Sequence, residues 1–138
     1  MNWQLIESDD ALEDLLAEAS QYGAVAVDTE FMRRSTFYPE VALLQLCFAD
    51  GAWLIDPLAI NELGSLIDFM VNPQVVKIFH SASEDLEVFQ QWLGVLPQPL
   101  FDTQRAAALL GHGFGMGYRT LVSDLCNVDL DKGETRSD

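Results

Sequence analysis

The sequence predicts an α/β protein with a mixed sheet and helices on both faces, and three observations predict it. Apolar runs of strand length stand at AVAV (24–27), VALLQLCFA (41–49) and VVKIF (75–79). Stretches with apolar residues at helical spacing lie before, between and after these runs. Asp50-Gly51 separates two apolar runs, a hairpin signal that makes part of the sheet antiparallel. Helices placed before and between strands cover both faces of such a sheet.

The elements follow in order. From Ser8 to Gln21, Leu12, Leu15, Leu16 and Ala19 form one helical stripe. Ser8 suits the N-cap, Asp9 and Asp10 suit the positive end of the helix dipole, and Gly23 suits a stop. Residues 24–28 make the first strand, and FMRRSTFYPE (31–40) reads as a connection. VALLQLCFA and AWLIDP form the hairpin. Leu63, Leu66, Ile67 and Met70 give a helix from Asn61 to Val71, which Asn72-Pro73 breaks. VVKIF is a second buried strand ending at His80. Ser81 and Glu84 have the spacing of a capping box, and the helix that follows carries Leu86, Phe89 and Leu93 on one side. Gly94, Pro97 and Pro99 end it. Asp102 is placed to cap another helix running through Ala108 and Leu110. GHGFGMG is a loop, and a last helix covers Tyr118 to Leu125.

Composition narrows the function classes. The chain has 138 residues, enough for one domain with a real core, and 49% of them are hydrophobic. With 22 acidic and 7 basic residues the formal charge is −15, a surface that repels nucleic acid and anionic membranes at long range. A nucleic-acid enzyme of this charge needs bound cations or another domain to meet its substrate. Cys47 and Cys126 form no CxxC pair and no disulfide framework. MNWQLIESDD has neither a basic nor an apolar leader region, and no apolar run spans a bilayer, so the expectation is a cytoplasmic protein without membrane contact and with no protein partner implied.

AVAVDTEF (24–31) raises the question of function. Side chains alternate along a strand, so Asp28 and Glu30 share a face. Two adjacent anions repel, and a cation between them relieves the repulsion. Oxygen-only donors select hard ions, Mg²⁺ or Mn²⁺. A solvated strand end without a role is the competing reading. A second acidic element, HSASEDLEVF (80–89), puts Asp85 in the first turn of a helix that starts where a strand ends, the place where α/β sheets bind ligands. By itself Asp85 reads more readily as a surface acid that favours the helix dipole, together with Glu84 and Glu87.

A D-x-E strand followed by H-x-A-x-x-D entering a helix resembles the DEDD family of 3′–5′ exonucleases. MNWQLI, DTEF, Tyr38-Pro39, LLQL, LIDPL, HSASEDLEVF, LPQPLFDTQ and LDKGETRSD, in this order, resemble the ribonuclease D branch of that family from Met1 to Asp138. The resemblance implies a ribonuclease H-like fold and a catalytic 3′–5′ exonuclease domain over 1–138. A histidine-type alignment, with His80 as general base, needs a further motif aspartate between Glu30 and His80. Asp50 in the hairpin turn, Asp56 before a proline and Asp68 inside a helix do not suit it. HSASED is therefore taken as the second motif, with His80 structural or substrate-facing. The family's third motif, Y-x-x-x-D, is not found: Tyr22, Tyr38 and Tyr118 are followed at the fourth position by Ala, Ala and Val. The expectation is a domain truncated before that motif, without the family's helical RNA-binding domains, and inactive alone.

For the intact protein the resemblance implies hydrolysis of RNA from its 3′ end, with release of nucleoside 5′-monophosphates and two divalent cations, Mg²⁺ or Mn²⁺, about 3.5–4 Å apart. Asp28 would bridge both ions, Glu30 would hold the ion that activates water, and Asp85 would hold the second through water. The implied partners are single-stranded RNA 3′ ends, including tRNA precursors. Thr29, Phe31, Gln45 and His80 are the candidate substrate contacts. Phe31 stacks on the terminal base or fills the core, and Gln45 needs a polar partner in the site or on the backbone. Arg33 and Arg34 meet phosphates or form a solvated loop. GHGFGMG lacks the G-K-[ST] ending of a phosphate loop. A DNA-directed proofreading exonuclease and a non-catalytic binding domain with the same fold are the alternatives. A contact to the 2′-hydroxyl would separate RNA from DNA.

Overall fold

The structure is a computed structural model that describes residues 2–32 and 40–109, with side chains through 106. Its elements run β1 (Asn2–Ile6), α1 (Asp9–Ala19), β2 (Ala24–Met32), β3 (Glu40–Phe48), β4 (Gly51–Ile55), a 3₁₀ turn (Pro57–Ala59), α2 (Gly64–Met70), β5 (Val76–Phe79), α3 (Ser83–Leu93), β6 (Leu100–Asp102) and α4 (Thr103–Leu109). The six strands form one sheet in the order β1-β4-β3-β2-β5-β6. β2 and β3, and β3 and β4, are antiparallel neighbours, while β1 joins β4, β5 joins β2 and β6 joins β5, each in parallel. This is the mixed α/β architecture that the alternation of helices and strands predicts.

One face of the sheet carries the core. Val25 and Val27 on β2, Leu44, Leu46 and Phe48 on β3 and Phe79 on β5 pack with Leu12, Leu15 and Leu16 of α1, Leu66, Phe69 and Met70 of α2, and Phe89 and Leu93 of α3. The period-2 burial of β2 and β3 leaves Ala26, Asp28, Gln45 and Cys47 on the opposite face, half-buried, with Glu30 beside them in solvent.

Several boundaries differ from the sequence reading. The strand expected over 24–28 continues to Met32, because β3 supplies a ladder for the polar residues as far as Met32↔Glu40. β1 was not expected: four of its five residues are exposed and only Ile6 is buried, so it shows no apolar alternation. β6 has only three residues, too few for a pattern. The hairpin forms, but its turn is Ala49-Asp50, with Ala49 at φ 50°, and Gly51 is already paired with Phe48. Gly51 is needed for a different reason: a Cβ there would lie 2.6 Å from Trp53 Cη2. The Trp53 ring in turn stacks on Phe48 at 4.2 Å. Ser8 does cap α1, its side chain accepting from Ala11 N–H at 3.2 Å, and the helix ends at Ser20. The helix expected to begin at Asn61 starts at Gly64. The last predicted helix, the GHGFGMG loop, Cys126, Tyr38-Pro39 and the Arg33-Arg34 pair lie outside the described residues.

Candidate active site

β2 presents the carboxylates. Asp28 is half-buried and Glu30 exposed on one face of the strand, while Thr29 between them is 1% exposed on the core face. The ladder register shifts between Glu30 and Phe31, a bulge that re-aims the chain directly after the motif. Opposite Asp28 on β3 stands Gln45, so its amide shares the Asp28 face. Gln45 Nε2 donates to Cys47 Sγ at 3.2 Å. That supplies the polar partner a half-buried amide needs and keeps Gln45 beside the carboxylates.

The second motif reaches the same strand. Asp85 lies in the first turn of α3, is 1% exposed, and accepts at Oδ1 from the Thr29 backbone N–H at 3.3 Å and from the Thr29 hydroxyl. A buried carboxylate held by donors at a helix N-terminus is stable where an unpaired one would not be. Two motifs 56 residues apart thus meet at Thr29, the residue between Asp28 and Glu30. Thr29 itself differs from expectation: strand alternation turns its hydroxyl to Asp85 and into the core rather than to substrate.

The turn leading into α3 is built differently from the capping box the sequence suggested. Ser81 has φ 61° and Ala82 is the N-cap, without a side-chain cap bond. The acceptor comes from Asp102 instead. Its Oδ1 takes the Ser81 N–H at 2.9 Å and the Gln104 N–H at 3.0 Å, and its Oδ2 takes the Ala82 N–H at 2.8 Å. Partial burial pushes the Asp102 carboxyl up, but the N–H groups of Ala82, Ser81, Gln104 and Arg105 outweigh this and hold it below the ordinary value of 3.8. Asp102 does cap α4, as expected, but its bonds to the β5–α3 turn were not legible. They join residues 20 and 21 positions apart, and no local pattern encodes them.

His80 follows β5, whose Ile78 pairs with Ala26 two residues before Asp28. Its Nδ1 lies 3.0 Å from Thr103 Oγ1, and the Thr103 hydroxyl donates to Phe79 O at 3.1 Å. Phe31 is half-buried just past the bulge.

All the acidic side chains here offer oxygen, the donor type that suits Mg²⁺ or Mn²⁺. Among the described residues, no three His, Cys, Asp or Glu side chains come together closely enough to hold a metal ion. Asp28 and Glu30 share one face of β2, and Asp85 meets the same strand at Thr29, on its other, core-facing side.

Residues 3–138 match a family model described as 3′–5′ exonuclease. Ribonuclease D of Pseudomonas paraeruginosa is 47% identical over 135 residues, which cover 98% of this chain and 36% of that protein. Ribonuclease D of Escherichia coli is 44% identical over 138 residues, 100% of this chain and 37% of its own length. The crystal structure of Escherichia coli RNase D, described as an exoribonuclease involved in structured RNA processing, superposes with a TM-score of 0.88 over the whole chain and 37% of that structure. The catalytic core of RRP6 from Trypanosoma brucei superposes with a TM-score of 0.82 at 26% identity, over 99% of this chain and 38% of that one. The chain therefore spans a little over a third of the curated relatives it matches. Sequence match, sheet topology and the meeting of the two acidic motifs agree: the chain belongs to the 3′–5′ exonuclease family, and the two curated relatives named here are ribonucleases D.

Proposed function

We propose that this chain is part of one exonuclease domain of a ribonuclease D-like 3′–5′ exoribonuclease that hydrolyses RNA 3′ ends, tRNA precursors among them, in the cytoplasm. The observation that carries the reading is the hydrogen bonding of Asp85 to Thr29, which joins the DTE strand to the SED helix. Among the described residues, no helix is long and apolar enough to cross a membrane.

Each residue then has a task. Asp28 and Glu30 offer hard oxygen donors on one face of β2, and Asp85 offers a third from α3. Two Mg²⁺ or Mn²⁺ ions bound there would stabilise the attacking and leaving oxygens of an in-line displacement. Thr29 orients Asp85 from behind. Gln45 pairs with Asp28 across the β2–β3 ladder, and its amide would donate to a substrate oxygen. His80 and Phe31 flank the same end of the sheet and are the remaining candidates for contact with the terminal nucleotide. RNA is preferred to DNA because the named relatives are ribonucleases.

The test uses the full-length protein with a 5′-labelled single-stranded RNA and Mn²⁺ or Mg²⁺. Removal of single nucleotides from the 3′ end is expected. Asp28→Asn, Glu30→Gln and Asp85→Asn should each lower the rate by at least about 100-fold, the upper range for losing a mere supporting partner of a metal ligand. Undiminished trimming by Asp28→Asn would overturn the reading, and faster loss of a matched DNA would overturn the choice of RNA.

A further inference from the structure

Besides Asp28, Glu30 and Asp85, a further carboxylate near the site, Asp102, is held by several backbone N–H groups. It has no place in the chemistry proposed above. It comes from β6, at the edge of the sheet, and its two oxygens accept three backbone N–H groups. Two of those belong to Ser81 and Ala82, the residues that turn the chain from β5 into α3. Ser81 sits at φ 61°, a backbone conformation that L residues avoid unless the surroundings hold it. Ala82 is the N-cap of α3 and has no side chain to cap with. The neighbouring Thr103 adds a second fastening, bonding Phe79 O and His80 Nδ1.

Asp85 is three residues past Ala82, within the first turn of the helix that these bonds start. Its carboxylate accepts from the Thr29 backbone N–H at 3.3 Å and from the Thr29 hydroxyl. A helix moves as a rigid body, so a change in where Ala82 lies is passed to Asp85. We propose that Asp102 is a positioning residue: by clamping the Ser81 and Ala82 N–H groups it sets the start of α3, and so places the Asp85 carboxylate at the DTE strand. The proposal rests on the reading of Asp85 as a metal-holding residue. Asp102 touches neither metal nor substrate, and acts through the turn and the helix.

The expected effect is on metal use rather than on folding alone. In the full-length protein, Asp102→Ala should raise the Mn²⁺ concentration for half-maximal trimming by about 10–100-fold, the range seen when supporting partners of metal ligands are removed. Mn²⁺ affinity measured by calorimetry without RNA should weaken in parallel. Asp102→Asn keeps one acceptor oxygen but turns an NH₂ towards a backbone N–H, so it should fall between wild type and Asp102→Ala. It also serves as the test if Asp102→Ala does not fold. Amide hydrogen exchange at Ser81 and Ala82 should quicken in both variants. Arg105→Ala removes the exposed partner 4.0 Å from Asp102 and should leave half-activation unchanged, since the clamp is untouched.

Asp85→Asn is run alongside. If it loses Mn²⁺ binding while Asp102→Asn keeps wild-type affinity and half-activation, the clamp is overturned and the reading of Asp85 stands. Lower melting temperature in Asp102→Asn with unchanged metal affinity has the same meaning: the role is structural only. If Asp85→Asn binds Mn²⁺ and trims like wild type, the reading of Asp85 falls and the proposal with it.

Discussion

Thr29 shows how one side chain can join two motifs. It stands between two carboxylates that face away from the core, and strand alternation therefore points it into the core, where Asp85 waits. A buried carboxylate needs donors, and Thr29 supplies both its N–H and its hydroxyl. Thr29→Val keeps the shape and the backbone donor but removes the hydroxyl. It should lower trimming by the full-length protein about 10–100-fold, and cost about 1–3 kcal/mol of stability for the donor lost to a buried acceptor. Steady-state kinetics across a Mn²⁺ series and urea unfolding check the two effects separately. Gly51 is a residue of the other kind, with a purely steric role. Gly51→Ala drives a methyl group into the Trp53 ring and should cost about 1–3 kcal/mol, read from the shift in the urea midpoint at constant slope.

Helix α3 is the element on which the site depends, and both of its ends are set by unusual backbone. At its start, the Ser81 turn is held by Asp102. At its end, Gly94 takes φ 73° and its N–H bonds to Gln90 O at 3.1 Å. No atom lies within 4 Å of where a Cβ would stand on Gly94, so Gly94→Ala isolates the backbone cost. About 1–2 kcal/mol of destabilisation is expected from the left-handed conformation alone. The Asp102 bonds also have a pH signature. A carboxyl held below 3.8 in the fold contributes stability above that pH, and loses it as pH falls through its folded value. Unfolding of Asp102→Asn should therefore depend less on pH below about 4 than wild type does, which a set of acid urea titrations measures directly.

At the scale of the whole molecule, Lys77 is a fully buried charged side chain. It lies in the middle of β5 with no exposed surface, between the core and the edge strand. Its Nζ donates to Asn72 O at 2.8 Å and to Gln98 O at 3.2 Å, and stands 5.4 Å from the centre of the Phe69 ring. One cation thus ties the end of α2 to the segment before β6. Burial lowers its pKa from 10.5 to about 8. Between these values the unfolded chain holds the proton and the folded one releases it, so stability should rise with pH from about 8 to 10.5. Lys77→Met should remove this rise. Comparing urea midpoints of the two proteins at pH 7.5 and 10 cancels the titrations they share. The formal charge of −15 acts at the same scale. Self-repulsion is screened by salt, so the melting temperature should climb as ionic strength rises from about 0.01 to 0.15 M, where the Debye length falls from about 30 to 8 Å.

Local physics in the sequence determined much of this protein. Apolar period placed α1, α2, α3 and the central strands, because burial is read residue by residue along each element. Alternation placed Asp28 and Glu30 on one face, and the ordered motifs pointed to the 3′–5′ exonuclease family. The tertiary structure alone decided the rest. β1 exists because β4 offers it a parallel ladder, although its own residues are mostly exposed. Thr29 meets Asp85 across 56 residues, Gln45 faces Asp28 through strand register, and Lys77 finds its acceptors on two loops. The Ser81-Glu84 spacing matched a capping box, yet Asp102 took the capping role from a neighbouring strand. A capping box needs only four consecutive residues to agree. Which carboxylate wins the N–H groups depends on where the sheet brings β6, and that is settled only when the chain has folded.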